Sequence, residues 1–306
     1  MPKTWRSTAL IAAITLLVFA FVPHIYNNQF LLFNMMMYMA LALGLNIIYG
    51  YTGYLPFGYV GFFGAGAYGG ALAITFLHWS PYLAVIAGGG AAVLVGMILI
   101  PLFRLSGAYF SIANLAAAEA LYYVVANPHL ESITQGPYGI SLPQVYDPNG
   151  AYWVMLFILL LALVLSGFIR GSRFGLALAA IRENPLSASM SGVNVVKLRS
   201  ISWLLSALIA GLAGATFGWY ISVFYPETVF GLGIGVFTIV FVLFGGIGTV
   251  LGPIVGTLIL YGAYNYIGIS TPQYFQLAYG LIIVLLVLFL PNGLVSLAKR
   301  RGIDVP

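Results

Sequence analysis

The chain has 306 residues, of which 62% are hydrophobic and only 6% are charged. Soluble domains carry about 25% charged residues, so this composition excludes a soluble globular protein. The apolar runs are continuous and each approaches the roughly 20 residues of a membrane-spanning helix, whereas a transmembrane β-barrel would alternate polar and apolar residues. The sequence therefore predicts an all-α polytopic membrane protein. It has no cysteine, so disulfides and thiolate metal sites are also excluded.

About ten membrane-spanning helices are predicted from the apolar runs and from the prolines and glycines between them. They are expected at residues 7–23, 30–49, 57–77, 82–103, 107–126, 152–169, 201–224, 231–246, 250–268 and 274–291. The first is expected to remain uncleaved, because no small-residue cleavage pattern follows its apolar run.

The basic residues support this topology. If both termini are cytoplasmic, all eleven basic residues fall on the cytoplasmic side, as the positive-inside rule requires. Five of them fill the connection between the sixth and seventh helices. The eleven are Lys3, Arg6, Arg104, Arg170, Arg173, Arg182, Lys197, Arg199, Lys299, Arg300 and Arg301. The net charge of +5 is thus explained by membrane orientation, and no nucleic-acid partner is expected.

Glycine and other small residues predict close helix packing. In the seventh helix, one row of small residues holds Ala207, Gly211 and Ala215, and a second row holds Ala210, Gly214 and Gly218. Two such rows predict a helix held between neighbours. Two cytoplasmic turns, 50–58 and 244–253, are rich in glycine and carry no charge. They could be re-entrant where the backbone lines protein or water.

No enzymatic function is predicted, because hydrolase, metalloprotease and nucleotide-binding motifs are all missing from the sequence. Ion-coupled carriers usually hold ionisable residues within the membrane, and the predicted spans contain essentially one, Glu119. A transporter with neither a nucleotide-binding motif nor the residues for ion coupling needs a separate motor subunit. No cofactor of its own is therefore expected.

The most informative segment is the cytoplasmic connection 170–199. Asn184 is a favourable N-cap, Pro185 suits the first helical position, and Gly192 suits the C-terminal stop. A short helix is therefore predicted over 185–191. Because isolated helices below about 12 residues are marginal, this helix is expected to fit another protein. The alternative is an ordinary interfacial loop.

The stretch FGLALAAIRENPLSASMSGVNVVKLR, followed by SALIAGLAGATFG, resembles the coupling loop of permeases in branched-chain amino acid (Liv-type) ABC importers. The resemblance is to the M-type subunit. It extends over most of the chain, and further stretches carry it: GYLPFGYVGFFGAGAY, RLSGAYFSIANLAAAEAL, ITQGPYGI and VFVLFGGIGTVLGPIVG.

The resemblance implies a cobalamin-importer-like (type II) fold in one permease domain, 1–306, with a coupling loop at 170–200. It also implies a second, H-type permease, two ATPase subunits that bind ATP and Mg, and an extracytoplasmic binding protein that meets loops 127–151 and 225–230. The short helix would sit in a groove of the ATPase. The coupling residues carried over are Arg182, Glu183, Asn184, Pro185, Ala188 and Gly192. The expected location is the inner membrane of a bacterium or archaeon, in contact with lipid.

The expected substrate is a branched-chain amino acid or a related small neutral or hydrophobic one. The family commonly has a basic residue where Ser106 stands, and a Gly-Gly pair where Gln135-Gly136 stands, so urea, short amides and small organic or aromatic acids remain alternatives. An ion-coupled secondary carrier and a structural or receptor protein are alternatives of other classes. Candidates for lining the path are Asn46, Asn114, Glu119 and Thr238, with helix–helix hydrogen bonding as the alternative role of each.

Overall fold

The computed structural model describes residues 3–270, 280–281, 284 and 293–295, and it is almost entirely helical. The predicted tenth span, 274–291, lies outside the described residues except for three isolated positions. The helices are α1 Lys3–Phe21, α2 Gln29–Leu45, α3 Val60–Leu77, α4 Pro81–Ile98, α5 Ala108–Val125, α6 Glu131–Thr134, α7 Pro148–Gly171, α8 Arg173–Glu183, α9 Pro185–Met190, α10 Val195–Ile221, α11 Pro226–Phe230, α12 Leu232–Gly245 and α13 Leu251–Ser270.

Within the described part of the chain, eight helical segments are long and apolar enough to cross a membrane. They coincide with the first eight predicted spans, and the 20-residue helix α13 covers the ninth. The chain is therefore a polytopic all-α membrane protein. A π-helical turn, Asn46–Gly50, extends α2 directly.

Several predicted boundaries were wrong for local reasons. The fourth span was expected to continue to residue 103, but α4 ends at Ile98 and a 3-10 turn, Ile100–Arg104, follows it. Pro101 in that turn has no N–H to continue the α-helix. The eighth predicted span, 231–246, agrees with α12 to within one residue at each end, and a separate short helix, α11, precedes it.

The seventh helix begins six residues earlier than predicted, at Val195, because Asn194 caps it by accepting a hydrogen bond from the Lys197 N–H at 3.0 Å. With 27 residues, α10 is about 40 Å long, which exceeds the roughly 30 Å hydrocarbon core. Its basic N-terminal turns can therefore project beyond the membrane while the apolar remainder spans it.

Helix α10 lies at the centre of the bundle and packs against α2, α3, α4 and α7. A side-chain carbon on Gly66 of α3 would overlap the Gly211 backbone, and one on Gly214 would overlap the backbone of Phe63. From α4, a side-chain carbon on Gly88 would lie 2.5 Å from the Ala215 Cβ. The prediction that two rows of small residues hold α10 between neighbours is confirmed.

Two strands join the loops at the predicted extracytoplasmic end. β1 (Ile140–Ser141) pairs antiparallel with β2 (Val223–Phe224), placing Ile140 opposite Phe224. The Leu142 N–H extends this pairing by donating to the Ser222 carbonyl at 2.7 Å. The two loops that the resemblance assigns to the binding protein, 127–151 and 225–230, are thus brought side by side.

Candidate functional site

The connection between α7 and α10 folds as two helices, α8 and the six-residue α9. We call α9 the docking helix, after the role that the sequence predicts for it. The Asn184 Oδ1 accepts hydrogen bonds from the N–H groups of Leu186 at 3.0 Å and Ser187 at 3.1 Å. Pro185 occupies the first position, as predicted. The docking helix ends at Met190, one residue before the predicted end.

The C-terminus of the docking helix is closed by Gly192, whose φ is +84°. The Gly192 N–H donates to the Ser189 carbonyl at 3.0 Å, and the Val193 N–H donates to the Ala188 carbonyl at 3.1 Å. This pair of bonds is a Schellman motif, in which glycine supplies the left-handed residue. Both ends of the helix are therefore fixed by local hydrogen bonds.

The outward face of the docking helix is apolar although its surroundings are polar. Leu186 is 72% exposed and Met190 is 84% exposed. They are four residues apart and so lie on one face of the helix. Ala188 points the other way and is 4% exposed against the body of the protein. Leu186 and Met190 thus place two large apolar side chains on the exposed face of this helix.

Arg182, in the last turn of α8, contacts this chain and does not simply project into solvent. Its Nη1 donates a hydrogen bond to the carbonyl of Gly50 at 2.6 Å. The same nitrogen would lie 3.1 Å from a side-chain carbon placed on Gly248. Arg182 therefore binds the first of the two charge-free glycine-rich turns identified in the sequence, 50–58, and lies beside the second, 244–253.

Asn46, in the π-helical turn that ends at Gly50, is hydrogen-bonded to the second of these turns from within the protein. Its Nδ2 donates to the Thr249 carbonyl at 2.8 Å, and its Oδ1 accepts from the Gly248 N–H at 2.8 Å. The side chain is completely buried, and both ends of its amide are used. We call the group Asn46, Gly50, Arg182, Gly248 and Thr249 the junction.

Glycine is required in the junction for steric reasons. A side-chain carbon on Gly50 would overlap the Asn46 amide and would lie 2.9 Å from the Gly248 nitrogen. Gly248 has a φ of +76°, a conformation that favours glycine. Burial raises the pKa of the neighbouring Tyr51 to about 12, with Arg170 opposing the shift, so this phenol is neutral.

A second arginine, Arg199, was predicted to lie in the cytoplasmic connection 170–199 but belongs to a helix. Arg199 lies within α10 and is only 6% exposed. Its guanidinium carbon is 3.9 Å from the centre of the Tyr54 ring and 6.0 Å from that of Phe103. A desolvated cation–π contact of this kind contributes about 2 kcal/mol, which offsets part of the cost of burying the charge. Arg199 therefore ties α10 to the turn that precedes α3.

The remaining path candidates occupy helix contacts. The Asn114 Oδ1 accepts a hydrogen bond from the Gly58 N–H at 2.8 Å, and Asn114 is 1% exposed. The hydroxyl of Thr238, also fully buried, donates to the Ile234 carbonyl one turn earlier at 2.7 Å. Glu119 is half-buried on α5. The contacts of Asn46, Asn114 and Thr238 are those of helix packing, and a role in lining the path stays a prediction.

The fold is that of a multi-pass membrane protein with a short, capped helix between two of its spans. The family described as branched-chain amino acid transport system / permease component matches residues 28–290. Because this match covers most of the sequence, the chain belongs to that permease family. It is accordingly a multi-pass inner-membrane protein.

Two curated relatives come from Escherichia coli (strain K12). The high-affinity branched-chain amino acid transport system permease protein LivM is 27% identical over 298 residues, covering 87% of this chain and 69% of LivM. LivH, from the same kind of system, is 27% identical over 287 residues, covering 85% of this chain and 91% of LivH. The longer match favours the M-type assignment.

One solved structure also aligns with the chain. It comes from a transporter assigned to the metal-chelate ABC type, in an inward-facing conformation. The alignment covers 91% of this chain and 99% of the other, with 20% identity and a TM-score of 0.44.

Proposed function

We propose that the chain is the translocating permease subunit of an ABC importer for branched-chain or related small neutral and hydrophobic amino acids. Separate ATPase subunits drive it by binding the docking helix. The observation that carries the proposal is the exposed apolar pair, Leu186 and Met190, on a helix capped at both ends.

The physics of this helix favours a docking role over an interfacial loop. A helix of six residues would not form alone in water. Here Asn184 and Gly192 hold it in shape, while Leu186 and Met190 remain exposed. Preorganisation lowers the entropy cost of binding, and the exposed apolar pair supplies binding energy once it enters a groove. A loop that only satisfied the positive-inside rule would need neither feature.

The other proposed partners are a second, H-type permease and an extracytoplasmic binding protein. The binding protein meets the surface formed by the loops that β1 and β2 join. This surface contains the exposed carboxylates of Glu131, Asp147 and Glu227. A cavity of about 610 Å³ opens there, lined by Glu131, Ser132, Gln135 and Tyr138. Substrate released at this surface would cross between the two permeases.

The substrate class is proposed from the family and from the names of LivM and LivH, which are both 27% identical to this chain. Which amino-acid substrate the transporter prefers is therefore established by measuring uptake. Urea, short amides and small organic or aromatic acids are the competing substrates in that measurement.

The proposal is tested by reconstituting the chain in liposomes with its H-type partner, both ATPases and the binding protein. ATP-dependent uptake of radiolabelled leucine, isoleucine and valine is compared with uptake of urea, acetamide and benzoate. We expect accumulation of the branched-chain amino acids only when ATP is present. Uptake by the chain alone, driven by a proton gradient without ATP, would overturn the proposal in favour of an ion-coupled carrier.

A matched pair of variants tests the docking helix. Leu186→Ser with Met190→Ser removes the apolar face, whereas Ser189→Ala alters an exposed polar position on the same helix. We expect the double variant to lose ATPase binding and uptake while the permease remains folded, and Ser189→Ala to retain both. Unchanged ATPase binding in the double variant would refute the docking assignment.

A further inference from the structure

The junction closes the cytoplasmic end of α2. The Ile48 carbonyl accepts from the Thr52 hydroxyl at 2.6 Å, and the Tyr49 carbonyl accepts from the Gly53 N–H at 3.0 Å. The next carbonyl, that of Gly50, accepts from Arg182. The last carbonyls of a helix have no partner within it and carry its negative dipole end, so a guanidinium is a favourable donor there. Arg182 therefore caps α2 from a distant segment.

The stem of Arg182 is held as well as its charged end. A side-chain carbon on Gly53 would lie 3.6 Å from the Arg182 Cγ, which places the stem against the turn that follows α2. Helix α8 itself is anchored through Gly175, Leu178 and Ile181, which are buried. The stem and the charged end of Arg182 are thus both held, although the residue itself and those that follow it are exposed.

Arg182 is also close to the docking helix along the chain. Only Glu183 separates it from Asn184, the N-cap of that helix. Any displacement of the docking helix therefore acts almost directly on Arg182. The hydrogen bond from Arg182 to the Gly50 carbonyl passes this displacement to α2. The hydrogen bonds of Asn46 with Gly248 and Thr249 pass it on to the turn that begins α13.

We propose that Arg182 is a positioning residue that transmits movement of the docking helix to α2 and α13 together. This inference rests on the proposed function, but it gives Arg182 a role different from the ATPase contact that the family resemblance implies. The residue acts through the Gly50 carbonyl and need not touch the motor. Its loss uncouples ATP hydrolysis from uptake and leaves docking intact.

The test compares Arg182→Gln with Arg173→Gln in the fully reconstituted complex. Arg173 is an exposed arginine at the opposite end of α8, so it controls for loss of one positive charge. Three quantities are measured: ATPase affinity, thermal stability, and the amount of amino acid imported per ATP hydrolysed. We expect Arg182→Gln to lower the import ratio by about tenfold, as loss of a charge-assisted hydrogen bond implies, with ATPase affinity unchanged. Arg173→Gln should leave all three unchanged.

Arg182→Lys serves as a second variant, because it keeps the charge and one donor nitrogen but not the planar guanidinium. We expect an import ratio between those of the wild type and Arg182→Gln. Weaker ATPase binding with a normal ratio at saturation would show that Arg182 is a docking contact and overturn the proposal. Lower stability with a normal ratio, or no change at all, would overturn it too. Failure of the proposed function itself would appear separately, as missing ATP-dependent uptake in the wild type.

Discussion

Gly66 of α3 and Gly211 of α10 touch through their backbones. A side-chain carbon on Gly66 would overlap both the α-carbon and the carbonyl of Gly211. Within a membrane, helices associate mainly by close packing, so contacts between small residues provide much of the stability of the bundle. The Gly66–Gly211 contact fixes the distance between α3 and the central helix.

We therefore predict that Gly66→Ala destabilises the protein, because the two helices must separate or bend to accommodate the methyl group. Overpacking of this kind costs about 1–3 kcal/mol. The measurement is the midpoint of thermal unfolding in lipid nanodiscs. Gly90→Ala is the control, since Gly90 lies in α4 with open space where its side chain would be. Equal midpoints for the two variants would contradict the proposed importance of this contact.

The features that could be predicted from the sequence are those set by nearby residues. The small-residue rows of α10 follow from helical periodicity, and the caps at Asn184 and Gly192 follow from residues within one turn. The early start of α10 was missed because charged residues suggested a loop. A local Asn194 cap was present there, and it could have been recognised.

The junction could not be predicted, because its contacts join residues far apart in the sequence. Arg182 and Gly50 are separated by 132 positions, and Asn46 and Gly248 by 202. Such pairs are determined by how the helices pack, and no periodicity marks them. The one signal available was the absence of charge from both glycine-rich turns, which leaves their backbone groups open to a donor from elsewhere.

The role of Asn114 can be decided by separating stability from transport. Asn114→Ala removes the acceptor for the buried Gly58 N–H, and an unpaired buried donor costs about 1–3 kcal/mol. We predict a lower unfolding midpoint with little change in the substrate concentration for half-maximal uptake. Thr257→Val is the control, because the Pro253 carbonyl that its hydroxyl contacts lies within a helix and Thr257 is not a path candidate. A large change in half-maximal concentration for Asn114→Ala would instead indicate that Asn114 lines the path.

The N-cap of the docking helix should determine ATPase affinity without touching the ATPase. Asn184→Ala leaves the N–H groups of Leu186 and Ser187 without their acceptor, which costs about 1 kcal/mol of helix stability. We predict roughly fivefold weaker binding of the ATPase in a titration on nanodiscs. Asn184→Asp and Asn184→Ser restore a capping oxygen and should restore affinity. If both rescue variants bind as weakly as Asn184→Ala, the asparagine contacts the ATPase directly.

Gly192 offers a test of backbone conformation alone. Nothing lies within 4 Å of the position that its side chain would take, so substitution there causes no collision. Its φ of +84° is nevertheless unfavourable for residues other than glycine, by about 1–2 kcal/mol, and least so for asparagine and aspartate. We therefore predict that Gly192→Val lowers both ATPase affinity and uptake, because the C-terminal cap must rearrange, whereas Gly192→Asn retains most of both.

Comparing Gly192→Asn with Gly192→Asp then isolates the effect of charge at this position, since the two side chains have the same shape. Aspartate adds a negative charge one turn from the exposed apolar pair, where it must be desolvated if the ATPase covers Gly192. A loss of ATPase affinity in Gly192→Asp alone would place Gly192 within the covered surface. Equal ATPase affinities for Gly192→Asn and Gly192→Asp would place Gly192 outside that surface and restrict its role to closing the docking helix. Normal ATPase binding by Gly192→Val would contradict that role as well.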